Sequence, residues 1–497
     1  MPIQEELQHR NYGSARIGVF GCGCWFYWHQ FEGLKERLIE HQRYFEDQLR
    51  NCSVDIVSGG LVDTPQLARE VGDRFRAEGV EFLMCYMSTY ALSASVLPVI
   101  QRAGVPVVLV SLQPTQAMDY EHGTTFMQLE HDNQTSLPEI CCALERAGIH
   151  VADIVVGTLY DDEAAWQQVL DWCKIARACA AVKNARIGVM GHIYEGMLDM
   201  NSDPTMFDGT FGMHCEHIEL DDLHACVEEI TESECEEKLA EIHQFFSFPE
   251  ASTDPIAGPA KPEDLRWAAR VACGLDRLVD RFALTGLSYY YRGLAGNANE
   301  RLGASLAVGS SLLTARGVPV AGELDLKNCV AMLIVDRLEA GGCFAELHPC
   351  DFENDVVLVG HDGPHHIAVA EGRPVIRGLT KYHGKRGYGV SVEFQLKTGP
   401  MTIVGLTQTH RGRFKLVVAE GESLPGPIPP TGNSNTRGRF PPDLRNFIRN
   451  WSLEGPTHHF ALGVGHIASQ IEGFAHCWGI EYVNVTDPAY RRTQWIR

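Results

Sequence analysis

Along most of the chain, short apolar runs alternate with longer segments whose apolar residues recur at helical spacing. Arg16-Ile17-Gly18-Val19-Phe20 predicts a strand that breaks at Gly21-Cys22-Gly23, and a helix follows over 34–49. Strands over 54–58, 82–87, 105–111 and 153–156 are then interleaved with helices over 65–78, 91–103, 139–147 and 164–179. Strands alternating with amphipathic helices predict a parallel, doubly wound sheet. The opening repeats: Arg186-Ile187-Gly188-Val189-Met190-Gly191 echoes Arg16 to Gly21 and predicts the start of a second α/β domain. Residues 246–263, rich in proline, alanine and acid, predict an exposed connection, and a helix over 265–283 follows. Beyond Glu346 the period changes. Segments 390–396, 402–407 and 414–418 predict short strands between Gly and Pro turns, hence a mostly antiparallel barrel-like or sandwich unit. Residues 421–442 predict a long proline and glycine loop, followed by a helix over 468–477 and a last strand over 480–485. The expected organisation is α/β: two doubly wound parallel-sheet domains, 1–183 and 184–342, then a C-terminal β-rich domain, 343–497.

In such sheets ligands bind beyond the carboxyl ends of the strands. That makes 22–29, with the aromatic cluster Trp25, Phe26, Tyr27 and Trp28, and 87–90 candidate rims, together with 191–197 in the second domain. Gly21-x-Gly23 has Phe26 where a dinucleotide fingerprint needs its third glycine, which excludes that cofactor site. The stretch 322–361 holds the main candidate chemistry. Glu323 stands before a helix with apolar positions at Val330, Leu333, Ile334 and Leu338, and Gly341-Gly342 stop it. Cys343-Phe344-Ala345 then predicts a short buried strand delivering Glu346, and the run 356–359 ends in Gly360-His361. Two carboxylates and an imidazole at element termini suit a mixed oxygen and nitrogen site for a divalent ion such as Mn2+. The same residues also fit plain structural roles, with Glu323 a favourable acid at a helix start, Glu346 on the surface and His361 a satisfied loop histidine. A shift of one turn would substitute His348 and Asp351 as ligands; His365, His366 and His458 fit a supporting or surface position. In the basic run 381–386, His383 is the candidate functional residue, the alternative being a solvated loop.

Composition narrows the partners. A chain of 497 residues with 45% apolar and 21% charged residues is long enough for several globular domains. Its formal net charge of -22 argues against a general affinity for nucleic acid or anionic membrane, which need basic patches. No apolar run reaches the length of a membrane span, and the N-terminal residues lack the features of a secretory signal. The 16 cysteines are scattered and include no CxxC pair, which predicts reduced thiols in a cytoplasmic protein.

Several segments together resemble the L-arabinose isomerase and L-fucose isomerase superfamily. Ala321-Gly322-Glu323-Leu324-Asp325 before an apolar helix resembles the family's AEGD stretch. Phe344-Ala345-Glu346 falls near its FMED, Val359-Gly360-His361 resembles its LGSH turn, and Gly455-Pro456-Thr457-His458-His459 its GGAHH turn. Weaker likenesses are Met87-Ser88-Thr89-Tyr90 to MHTF, Asn133-Gln134-Thr135 to NQT, and Thr398-Gly399-Pro400. The likeness is specific from about residue 321 onward and holds in outline before that. It implies two α/β domains with a C-terminal barrel-like domain, and Glu323, Glu346, His361 and His459 as ligands of Mn2+, Co2+ or Mg2+. It also implies Glu323 and Glu346 as catalytic base and acid, and a homo-oligomer, trimer or hexamer. The departures concern the sugar-contacting residues. The family's opening GSQ-x-LYG is replaced by the cluster around Trp25, its histidine after NQT aligns with Leu137, and its pocket phenylalanine falls near Tyr290 or Tyr291.

The expected activity is therefore aldose–ketose isomerisation of a free pentose, hexose or deoxysugar through an enediol, with Trp25, Tyr290, Tyr291 and His383 as candidate sugar contacts. The lack of a phosphate-binding glycine loop favours an unphosphorylated sugar. A metal-assisted enolisation or epimerisation of a modified sugar, or a non-catalytic sugar-binding protein, are the alternatives.

Overall fold

A computed structural model describes residues 12–250, 253–292, 296–382 and 385–492. The chain forms two compact units. One comprises 13–181 with 472–479; the other is built on 182–471 and the chain from Ile480.

In the first unit, β1 (Arg16–Cys22), β2 (Asp55–Val62), β3 (Phe82–Tyr86), β4 (Val107–Gln113) and β5 (Val151–Thr158) make one parallel sheet in the order β2-β1-β3-β4-β5. β3 and β4 are buried almost throughout, as strands covered on both faces must be. Local chemistry starts the intervening helices: Thr64 caps Pro65–Ala77 by accepting from Leu67 N, with Pro65 at the first helical position. The core runs through Phe20, Leu83, Leu109, Val96 and Ile140. Strand order changes direction between β1 and β3, so the segments that follow Cys22 and Tyr86 occupy the ligand-binding end of this sheet. Trp25, half exposed, lies in the first of them.

The second unit opens with β6 (Arg186–Gly191), β7 (His214–Ile218), the two-residue β8 (Ala257–Gly258), β9 (Gly286–Tyr290) and β10 (Val320–Ala321). Four of these form a parallel sheet in the order β10-β9-β6-β7. The predicted exposed connection over 246–263 is different in detail. Phe246 is buried, and β8 pairs with the hairpin β13 (Val375–Tyr382) and β14 (Lys385–Glu393) described with the strands below. The helix Leu326–Arg337 forms where its spacing predicts, and its burial extends beyond the apolar positions. Nearly every residue is buried, Lys327, Asn328 and Asp336 included, because the helix is enclosed on all sides. Gly342 explains the tightness: a Cβ there would stand 2.6 Å from the carbonyl oxygen of Met332, and its φ is 99°.

From that helix the chain enters the barrel. β11 (Gly341–Asp351) is one long strand rather than the short one expected, and is followed by β12 (Val356–His361), β15 (Gly399–Gln408), β16 (Phe414–Leu424), β17 (Ser434–Arg439) and β18 (Phe460–Val464). Six strands close antiparallel in the order β15-β18-β11-β12-β17-β16, with β16 paired back to β15. Closure removes the free edges an open sheet would leave. β19 (Glu481–Asn484) adds in parallel to β16. The long loop expected over 421–442 is shorter, because β16 extends to Leu424 and β17 lies inside the same proline-rich stretch. Barrel residues Val359, Ile403 and Val417 share one apolar core with Leu265, Val308 and Leu312 of the central helices. This shared core holds the central sheet and the barrel in one unit. Among the described residues, no helix is long and apolar enough to cross a membrane.

Gly360 sits where β12 and β17 approach most closely, and a Cβ there would collide with the carbonyl of Ser434. Gly360→Ala is expected to cost about 1–3 kcal/mol, the usual penalty for overpacking, and to lower the denaturation midpoint in urea. Unchanged stability would show that β12 can shift freely.

Candidate metal centre

The barrel's pairing brings two strand-borne ligands and a turn together. On β11, Ala345 pairs with Phe460 of β18 and Glu346 with Gly360 of β12. This short segment of β11 therefore lies beside His459, just before β18, and beside His361, at the end of β12. Glu323 comes from the central sheet, just beyond β10. Its backbone is unusual: Glu323 and Leu324 both adopt left-handed φ, 56° and 59°. Such non-glycine conformations cost about 1–3 kcal/mol each and persist only where surroundings enforce them. Here Tyr194 N donates to Glu323 O (3.3 Å) and Leu324 N to Tyr289 O (3.0 Å).

All four expected ligands converge. Glu346, His361 and His459 each offer an atom within 4.8 Å of the others, and Glu323, His458 and His459 form a second such group sharing His459. Glu323 Oε2 stands 3.2 Å from His459 Nε2, and Glu346 Oε1 stands 3.9 Å from His361 Nε2. The Phe344 ring lies against both imidazoles, 4.6 Å from His361 and 4.5 Å from His459 between centroids.

The way each ring is held decides which nitrogen is free. His361 Nδ1 donates to the carbonyl of Asp362 at 2.5 Å, leaving Nε2 toward Glu346. His459, with no exposed surface, donates Nδ1 to Asp325 Oδ2 at 3.1 Å. Its buried Nε2 has no hydrogen-bond partner despite the nearby Glu323 carboxylate. A buried imidazole anchored through one nitrogen, with the other aimed at carboxylates, has the arrangement of a metal ligand with its supporting carboxylate. Two carboxylates and two neutral imidazoles suit Mn2+, Co2+ or Mg2+ better than a soft cation, so the residues fit the implied ion.

Charges follow from this packing. Burial pushes the Glu323 carboxyl up, but His459 outweighs it and leaves the pKa below the usual value. Burial pulls His459 down, yet Asp325 and Glu323 more than offset this and raise it.

Other candidates fall elsewhere. His348 Nδ1 is 3.8 Å from Glu346 Oε1, and burial lowers its pKa, but it joins neither ligand group. Asp351 is an exposed turn residue accepting from the backbone N of Glu353 and Asn354. His365 is buried without exposure, and that burial pushes its pKa down to about 3; His366 Nε2 is 3.3 Å from Asp336. Tyr290 is near the Glu323 loop, with its ring 4.9 Å from Tyr194 and 5.2 Å from His192. Tyr291 points instead into the apolar core of the central domain. Leu137 is packed in the first unit's core with Ile140 and Leu144. Trp25 belongs to that same unit, and His383 lies outside the described residues.

Two residues escaped the sequence reading. Asp325 was visible only as part of a motif, although an Asp before an apolar helix is an N-cap signal; here it caps Leu326–Arg337 and holds His459. Asp199, which contacts His458 from 259 positions away, left no local signal.

A barrel with two acids and two histidines converging beside a parallel sheet could hold a metal ion. Comparison with known proteins agrees. The family described as L-arabinose isomerase C-terminal domain matches residues 341–481. The chain is 23% identical to an L-arabinose isomerase of Aeromonas salmonicida over 424 residues, covering 83% of both chains. It is 23% identical to an L-arabinose isomerase of Geobacillus thermodenitrificans, covering 92% of each. It is also 24% identical to a sulfoquinovose isomerase of Alkalicoccus urumqiensis over 341 residues, 65% of this chain and 70% of that one. These findings support an arabinose isomerase-like sugar isomerase family for this chain.

Asp325→Asn keeps an N-cap acceptor while removing the carboxylate that orients His459. It is expected to weaken Mn2+ binding about 10–100-fold in calorimetry, with the fold retained. Unaltered affinity would show that His459 needs no such anchor.

Proposed function

We propose that this chain is a cytoplasmic, divalent-metal-dependent isomerase that interconverts an unphosphorylated aldose and its ketose through an enediol. The single observation that supports this most is the convergence of Glu323, Glu346 and His361 on the buried His459, whose Nε2 faces Glu323 Oε2 at 3.2 Å while its Nδ1 is held by Asp325.

Glu323, Glu346, His361 and His459 would hold the ion. When bound, it would supply Lewis-acid polarisation of the carbonyl and hold the two reacting carbons in register. The protein's own groups do the rest. Moving a proton between C1 and C2 needs a base and an acid placed about the two carbons, and Glu323 and Glu346 are the carboxylates available for it. Both are partly exposed, 24% and 30% in their side chains, so each can reach a substrate. Phe344 closes the floor behind the imidazoles and lowers the local dielectric, which strengthens every charge interaction in the site. Asp325 and the Asp362 carbonyl keep the two rings in the tautomers that face inward.

The sugar is a free aldose. The changes at Leu137 and around Trp25 support a substrate shell unlike that of an arabinose isomerase, and relatives named for sulfoquinovose support a modified sugar as a second reading. Assembly as a homo-oligomer is part of the same proposal, carried by the family resemblance.

Purified protein stripped with EDTA is expected to lose turnover of aldoses, and added Mn2+ to restore it. The assay panel should hold pentoses, hexoses, deoxysugars and a sulfonated hexose, each followed to its ketose by NMR. Glu346→Gln should lower kcat at least about 100-fold, in keeping with loss of an acid–base group. Turnover that ignores EDTA, or a Glu346→Gln variant as fast as wild type, would overturn the proposal.

A further inference from the structure

The loop between β6 and the helix Pro204–Phe211 approaches the candidate centre from the central sheet. Its short turn Leu198–Met200 carries Asp199. Asp199 Oδ2 accepts two hydrogen bonds from one residue: from the backbone N of His458 at 3.0 Å and from its Nδ1 at 2.6 Å. An ionised carboxylate only accepts, so Nδ1 carries the proton and Nε2 is the nitrogen left for the site. That ring lies 3.9 Å from the ring of His459, centroid to centroid and tilted by 43°, and stands with Glu323 in one group.

Two histidines adjacent in the chain are thus held by two different acids. His459 is fully buried and anchored by Asp325 at a helix start; His458 is one-third exposed in its side chain and anchored by Asp199 on a loop. The loop is itself tied down. Lys327, 1% exposed, donates Nζ to the carbonyl of Asn201 at 3.0 Å, and Tyr194 N donates to Glu323 O. A buried ammonium spent on a neutral carbonyl two residues from Asp199 fixes the position of that turn. Burial pushes the Asp199 carboxyl up, but the contacts from His458 outweigh it and carry it below the ordinary range, as expected of a strongly held pair.

We propose that Asp199 is a positioning residue that aims His458 Nε2 at a hydroxyl of the bound sugar, with Lys327 pinning the loop that carries it. This rests on the isomerase reading above. The division of labour is specific: His459 serves the cation, His458 the substrate. Without Asp199 the His458 ring turns freely about its Cβ–Cγ bond and presents either nitrogen.

Asp199→Asn is close in shape and keeps an amide-oxygen acceptor, but loses the charge that strengthens the bond to Nδ1. In the metal-loaded protein it should lower kcat/KM about 10–100-fold, carried mainly by KM, while Mn2+ affinity stays within about twofold. Asp199→Glu should recover part of the loss, and Lys327→Met should shift KM in the same direction. The double variant Asp199→Asn/His458→Asn should be no worse than His458→Asn alone, because both act on one contact. Loss of Mn2+ affinity in step with kcat/KM would make His458 a cation ligand and overturn the proposal, as would an unchanged KM or additive losses. Two measurements separate this from the isomerase reading. If wild type turns over no sugar, the isomerase reading fails. The His458 Nδ1–H resonance and calorimetric binding of ribitol still test the positioning role, which fails if Asp199→Asn leaves both unaltered or if wild type binds no ribitol.

Discussion

An imidazole with no exposed surface must have both ring nitrogens satisfied, or be held ready for something that satisfies them. His459 is in that position, and its contact with Asp325 is the constraint on which the rest of the second unit depends. Asp325 can make the contact only because it is also the N-cap of a helix enclosed by the central sheet and the barrel. Its Oδ1 accepts from Asn328 N at 3.0 Å while Oδ2 accepts from His459, so one carboxylate starts a helix and sets an imidazole's tautomer. Beside it, Glu323 and Leu324 both hold left-handed φ.

Barrel closure supplies the other half. Glu346, His361 and His459 lie far apart in sequence, yet the pairing of β11 with β18 on one side and β12 on the other sets them side by side. A slip of one residue in either ladder would carry Glu346 to the opposite face of the sheet. Register is secured by the apolar core shared between the barrel and the central helices, and by the tight passage at Gly360. The acids and imidazoles therefore sit on rigid elements, as a site needs when its geometry must hold to fractions of an ångström.

Residues expected to contact a substrate are placed unevenly. Leu137 fills a core position of the first unit; in the second, Tyr291 turns inward, and Tyr290 with Tyr194 and His192 makes an aromatic group near the Glu323 loop. Apolar and aromatic side chains change which sugar hydroxyls or substituents fit without disturbing a cation held by charged groups, so substrate range can drift while the metal chemistry stays.

What the sequence determined was whatever short-range physics writes into it. Alternating strands and helices gave the parallel sheets, Gly341-Gly342 marked the turn out of the buried helix, and the change of period after Glu346 announced the antiparallel unit. The family resemblance gave Glu323, Glu346, His361 and His459 as a set, and the fold brings them near one another, with Glu346 inside β11 rather than at the strand exit expected. Where strands pair depends on long-range contacts, so the length of β11, the closed order of the barrel and the strand hidden in the proline-rich stretch were decided by the tertiary structure. The same holds for Asp199 and His458, whose partnership spans 259 positions and has no local signature. The burial of Lys327 in Leu326–Arg337 was decided in the same way, by a carbonyl partner that only the folded chain brings to it.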